Sequence, residues 1–183
     1  DYIDAHLSLA FCLHDQRQFR EASLVLDRAQ HRLGDHPRYY KARAFLASSA
    51  GQHKETIKSW DRVIALTQPK PSIDALRRRG WMLYSLGHPK EALLDAEQVV
   101  ARLPDDIAYR WLCGLCKLGL GDKAAAVAIF KQCHAANPQA TPALINRSPA
   151  GAQEAAAAAL GLTLQRPRGG RCEEGEGGPG PKC

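Results

Sequence analysis

Six cysteines are spread at irregular spacings through 183 residues. They are too few and too scattered for a disulfide framework in a chain of this length. No apolar run approaches the ~18 residues needed to cross a bilayer, so no membrane partner is expected. No glycine-rich loop opens a helix, and neither G-x-S-x-G nor H-E-x-x-H occurs. These gaps remove the usual nucleotide-binding, serine-hydrolase and zinc-protease arrangements. The chain therefore reads as not an enzyme, with no cofactor. Charge of one sign hardly dominates either: 25 Lys+Arg against 19 Asp+Glu give a net +6. Arg77-Arg78-Arg79 is the only basic cluster. A solvated helix face is its expected setting, in preference to a nucleic-acid patch. The sequence starts at Asp1 with no charged-then-apolar leader, which suggests a processed or excised chain and a cytoplasmic setting.

Cys113 and Cys116 form a C-x-x-C, and His134 follows Cys133. Without a second ligand pair at finger spacing this is a weak metal signal. All three cysteines fall on expected helices at positions that want small apolar residues, so they are expected to pack and to bind no metal. The seven histidines lie mostly at helix ends and loops. Asp105–Asp106 suits a helix start, where carboxylates favour the dipole.

What the sequence does have is a period. "RQFREASLVLDRAQ" (17–30), "GQHKETIKSWDRVI" (51–64), "GHPKEALLDAEQVV" (87–100) and "GDKAAAVAIFKQCH" (121–134) share one layout. Their small-residue anchors Ala22, Thr56, Ala92 and Ala126 lie 34, 36 and 34 residues apart. Such a period marks a helical repeat array. Each unit reads as two helices, near 3–14 and 19–33, 38–50 and 54–67, 71–87 and 90–104, and 105–121 and 122–138. The two extra residues of the second unit fit the loop "TQPKP" (67–71), which its prolines keep non-helical. Ala10, Ala44, Gly80 and Gly114 recur in each first helix, opposite the alanine row of each second helix. Close helix crossing needs small side chains at both places.

These residues resemble the tetratricopeptide repeat family. "LRRRGWMLYSLGHPKEALLDAEQVVARLP" (76–104) carries the pattern best, with Gly80, Ala92 and the closing Pro104; the fourth unit follows with Gly114, Ala126 and Pro138. The second unit has Thr56 in place of alanine, and the first has Arg17 in place of the turn glycine. The resemblance implies an all-α, right-handed solenoid of about four helix-turn-helix repeats over 2–138 (about 3–36, 37–70, 71–104 and 105–138). A C-terminal capping helix region over 139–162 is expected next, with Thr141 as N-cap of one short helix and another over 148–162. A disordered Gly/Pro-rich tail follows over 163–183.

In that fold the first helix of each repeat lines a concave groove. The matching places are Asp4, Leu7, Phe11 and His14; Arg38, Lys41, Phe45 and Ser48; Asp74, Arg77, Trp81 and Tyr84; and Ala108, Trp111, Leu115 and Leu118. Phe11, Phe45, Trp81, Tyr84 and Trp111 are the ring types that anchor partners. Arg38, Lys41 and Arg77 among them suggest an acidic or aromatic peptide. Trp81 and Trp111 have an alternative use, as packing between adjacent repeats. The family's grip on chaperone carboxylate tails does not transfer, because only Arg78 or only Lys41 fits in either register. The expected function is a non-catalytic scaffold or adaptor binding another protein. The alternatives are a regulatory or targeting segment of a longer enzyme and an RNA-binding helical repeat.

Overall fold

The computed structural model describes residues 2–33 and 35–164. The expected tail falls outside the described residues from 165 onward. Ten helices follow one another with no strand among the described residues: α1 (Tyr2–Asp15), α2 (Phe19–Leu33), α3 (Pro37–Ser49), α4 (His53–Leu66), α5 (Ile73–Ser85), α6 (Pro89–Arg102), α7 (Ile107–Gly119), α8 (Lys123–Ala136), α9 (Thr141–Arg147) and α10 (Ala150–Leu160). The first eight form four hairpin pairs, each stacked on the next to make an all-α solenoid.

Local chemistry sets the helix ends. Ser72, Asp106 and Asp122 cap α5, α7 and α8, accepting hydrogen bonds from Ala75 N, Tyr109 N and Ala125 N at 3.4, 3.3 and 3.1 Å. Pro89 opens α6, where its missing N–H costs nothing. Between the helices of a pair the chain turns through the left-handed region. Gly51, Gly87 and Gly121 sit there at φ 69°, 80° and 86°. The first pair has Arg17 at the same place, at φ 61°. Its Cβ crowds the backbone, a cost the three glycines avoid.

Small residues mark the crossings. A Cβ on Gly114 would lie 2.6 Å from the Phe130 ring, and one on Gly80 would lie 3.2 Å from Asp95 Cβ. Ala22, Ala92 and Ala126 are fully buried. Thr56 is tolerated in the same row because its hydroxyl donates to Gln52 O at 3.0 Å, satisfying the one polar group it adds. Cys113, Cys116 and Cys133 are buried in the core of the last units, and burial pushes their thiols up to about 11, 12 and 11. Thiols that resist ionisation behave as small apolar packing groups.

Two expectations need correction. Successive helical residues point about 100° apart, so Arg77, Arg78 and Arg79 do not share a solvated face. Arg77 pairs with Asp106, Arg78 with Asp74, and Arg79 with Asp61 and Asp95. Thr141 is the first residue of α9, not its cap. The cap position falls to Ala140, which has no polar side chain to cap with; Asn137 Oδ1 instead accepts from Ala140 N at 2.9 Å in the turn before the helix. Thr141 itself is fully buried, and its hydroxyl donates to Asn137 O at 3.1 Å.

Arg79 belongs to a device that repeats. It donates from Nε and Nη2 to Asp95 (2.8 and 2.6 Å) and from Nη1 to Asp61 (2.6 Å), tying α5 to α4 and α6. Arg43, one repeat earlier, donates to Asp27 on α2 at 2.8 Å, to Glu55 on α4 at 2.6 Å and to Tyr39 Oη at 2.6 Å. The fourth unit has Cys113 at this place, and apolar packing takes over.

Candidate functional site

The first helices of the pairs, α1, α3, α5 and α7, carry a row of rings. Phe11 is exposed and meets Phe45 edge-on at 6.5 Å; Phe45, half-buried, meets Trp60 edge-on at 5.7 Å. Farther along, half-buried Trp81 stands edge-on to Tyr84 at 6.3 Å and to Tyr109 at 6.4 Å. Burial raises the Tyr84 hydroxyl, with Cys116 nearby adding to the effect, and raises that of Tyr109 to about 12 against the opposing influence of Arg77. Both therefore stay neutral at physiological pH.

The cations expected between these rings are each held by a carboxylate of the neighbouring repeat. Arg38 on α3 pairs with Asp4 on α1. Lys41 on α3 pairs with Asp74 on α5 at 2.8 Å, and Arg77 on α5 pairs with Asp106, the cap of α7, at 3.2 Å. The result is a ladder of ion pairs stepping from one repeat to the next. Asp74 also accepts from Arg78 Nε at 3.0 Å. Burial works to raise the Asp74 carboxyl, but Lys41 and Arg78 together outweigh it and hold it below the usual carboxylate range. Two guanidiniums lie over rings: Arg78 over Phe45 at 4.2 Å and Arg77 over Tyr109 at 4.9 Å.

Two cavities meet at Trp81. One, of about 560 Å³, lies between α5, α7 and α9 and has Asp74, Arg77, Arg78, Tyr109, Leu144 and Arg147 among its walls. The other, of about 350 Å³, runs back toward Phe45, Trp60 and Ser85 and shares Arg77, Arg78, Trp81 and Tyr109 with the first. A third, of about 430 Å³, lies elsewhere, between α2, α3 and α4. Its charged walls are largely spent on the Arg43–Asp27 and Arg43–Glu55 pairs, and Phe19 is its one ring. It is the weaker candidate.

Of the expected groove residues, Phe45, Arg77 and Trp81 come together around the cavities, Lys41 reaches them through Asp74, and Tyr84 stands behind Trp81. Phe11 and Arg38 lie toward the first repeat. Trp111 does not line an open groove. It is fully buried, tilted against Phe130 at 4.4 Å, and its indole N–H donates to Ser148 Oγ at 3.0 Å. Leu115 is buried too. Trp111 is covered by Phe130 of α8 and by Ser148, which follows α9, while α10 packs on α8. The sequence reading missed Tyr109, Arg147 and Ser148. Tyr109 follows the expected groove position Ala108, while Arg147 and Ser148 sit in a segment assigned only a capping task.

No family model and no curated protein matches the sequence. Solved structures do match. The part of MamA from residue 41 to the end, from Desulfovibrio magneticus RS-1, superposes with TM-score 0.68 at 18% identity, over 88% of this chain and 92% of that one. A tetratricopeptide repeat protein from Parabacteroides merdae ATCC 43184 gives TM-score 0.69 at 15% identity, over 87% and 59%. YrrB, described as a TPR protein with an unusual peptide-binding site, gives 0.63 at 19% identity, over 85% of each chain. By fold, the chain is a tetratricopeptide-repeat solenoid.

Proposed function

We propose that the chain is a non-catalytic interaction module that holds a segment of another protein along the face formed by α1, α3, α5 and α7. The observation that carries this reading is the placement of Trp81. A large ring, half-buried between two open cavities and flanked by guanidiniums, has the makeup of a binding anchor. The bound segment is apolar or aromatic where it meets Trp81 and acidic where it meets the arginines. Because Arg38, Lys41 and Arg77 already have carboxylate partners, attraction to acidic groups falls mainly to the unspent edges of Arg78 and to Arg147. An RNA-binding reading has less support, since the arginines of the 77–79 cluster turn to different carboxylates within the fold and form no continuous basic stripe along it.

A displayed library of random peptides, selected on the wild-type chain and rescreened on Trp81→Ala, tests the reading. Selected peptides should combine apolar and acidic residues, and the substitution should weaken them about 30-fold, roughly 2 kcal/mol, with helix content unchanged. Peptides that bind both proteins equally would move the site elsewhere.

A further inference from the structure

We propose that the cavity between α5, α7 and α9 is a subsite for a phosphotyrosine side chain of the bound segment, a refinement that rests on the groove reading above. Charge is the first reason. Among the described residues, Arg77, Arg78 and Arg147 line the cavity with one carboxylate, Asp74. Lys41 pairs with Asp74 and Asp106 with Arg77 at its edge, so the set carries two positive charges in excess. A single carboxylate neutralises one of them. A phosphoryl group carries about −1.5 to −2 at neutral pH and offers three acceptor oxygens.

Geometry is the second. Arg78 is held on one face by the Phe45 ring and through Nε by Asp74, which leaves both Nη groups for a ligand. Arg77 is held over the Tyr109 ring and through Nη2 by Asp106, which leaves its Nη1 and Nε for a ligand. Arg147 makes no ion pair with any described residue and closes the cavity from α9. Guanidiniums fixed before binding lose little freedom when they fork onto phosphoryl oxygens.

The remaining walls choose the side chain. Trp81, Ala108 and Leu144 give the cavity an apolar side, and about 560 Å³ falls within the range of small-ligand pockets. The single methylene of phosphoserine would leave those walls wet. The phenyl ring of phosphotyrosine covers them while its phosphoryl group reaches the arginines.

The test uses the full chain and three probes: N-acetyl-phosphotyrosine amide, N-acetyl-tyrosine amide and N-acetyl-phosphoserine amide. Trp81 reports directly, since Trp60 and Trp111 are buried. The phosphotyrosine probe should shift the Trp81 indole resonance saturably and bind at least tenfold more tightly than either other probe. Its affinity should fall as salt rises. Arg147→Ala should weaken it at least fivefold without changing the melting temperature, as expected for an exposed residue with no ion-pair partner among the described residues. Equal binding of the phosphotyrosine and tyrosine probes, equal binding of the two phosphorylated probes, or indifference to Arg147→Ala would each overturn the assignment. If library peptides need Trp81 while the phosphotyrosine probe leaves it unmoved, the subsite fails and the groove stands. If neither engages Trp81, both fail.

Discussion

The two ends of the solenoid are built differently. From α5 to α10 a single buried cluster runs without a break, through Leu76, Leu83, Val99, Leu112, Leu115, Phe130 and Ile145. From α1 to α4 the core is divided in two, one part around Leu7, Leu26 and Tyr39, the other around Ala44, Trp60 and Val63. Four of the nine large apolar side chains exposed among the described residues belong to α1 and α2. In a stacked array each pair takes most of its stability from its neighbours. The joints between the early pairs are thinner, and arginine clamps span them, Arg43 from α2 to α4 and Arg79 from α4 to α6; the fourth pair has no such clamp and leans on apolar burial. The Trp81 cavities lie toward the better-packed end, where α5, α7 and α9 hold the walls in place.

The clamps give the largest expected effect. Arg79→Met leaves Asp95, only 1% exposed, as a buried carboxylate without its cation. Thermal and urea unfolding should show a loss of about 3–5 kcal/mol. Adding Asp95→Leu should recover most of it, because the stranded charge, not the missing bond, carries the cost. Arg43→Met should cost less, about 1–2 kcal/mol, since its partners Asp27 and Glu55 are 52% and 32% exposed and water can take the place of the guanidinium. Equal losses would erase the distinction drawn between the two clamps.

A gain of stability is expected at the weaker end. Arg17 holds a left-handed backbone that its three counterparts fill with glycine. Arg17→Gly should stabilise the chain by about 1 kcal/mol, with hydrogen exchange in α1 and α2 slowing most. A loss of stability would show that the Arg17 side chain is needed for more than the turn.

The smallest effect is a pH dependence on the groove ladder. The Asp74 carboxyl is held below its ordinary range in the folded state. Its contribution is therefore present above the unfolded carboxylate pKa and is lost as pH falls through the lower folded value. The stability gap between wild type and Asp74→Asn should be flat near neutrality and close on acidification. A gap that widens in acid would contradict the sign.

These differences were only partly visible in the sequence. The 34- to 36-residue period announces the helix pairs, because close crossings demand small residues and those recur wherever the helices do. Ala92 and Gly80 are legible for that reason. Phe45, Arg77 and Trp81 follow from their places on the first helices. Trp111 does not, because periodicity says which face a side chain occupies and nothing of what covers that face; here Phe130 and Ser148 do. The pairing of Lys41 with Asp74 and of Arg77 with Asp106 joins residues 33 and 29 positions apart, so it depends on stacking geometry that spacing alone leaves open. The clamps left a trace that went unused: Arg43 and Arg79 recur 36 apart, and Asp27 and Asp61 recur 34 apart.

The central claim is that the continuously packed end of the solenoid carries the recognition surface, at Trp81. Hydrogen exchange of the full chain, alone and saturated with a peptide selected on it, tests this most directly. Protection should be strongest in α5, α7 and α9 and weaker along α1 and α3, with α2 exchanging as before. Protection confined to α2, α3 and α4 would instead place the partner in the cavity beside Phe19 and Leu24 and contradict the account.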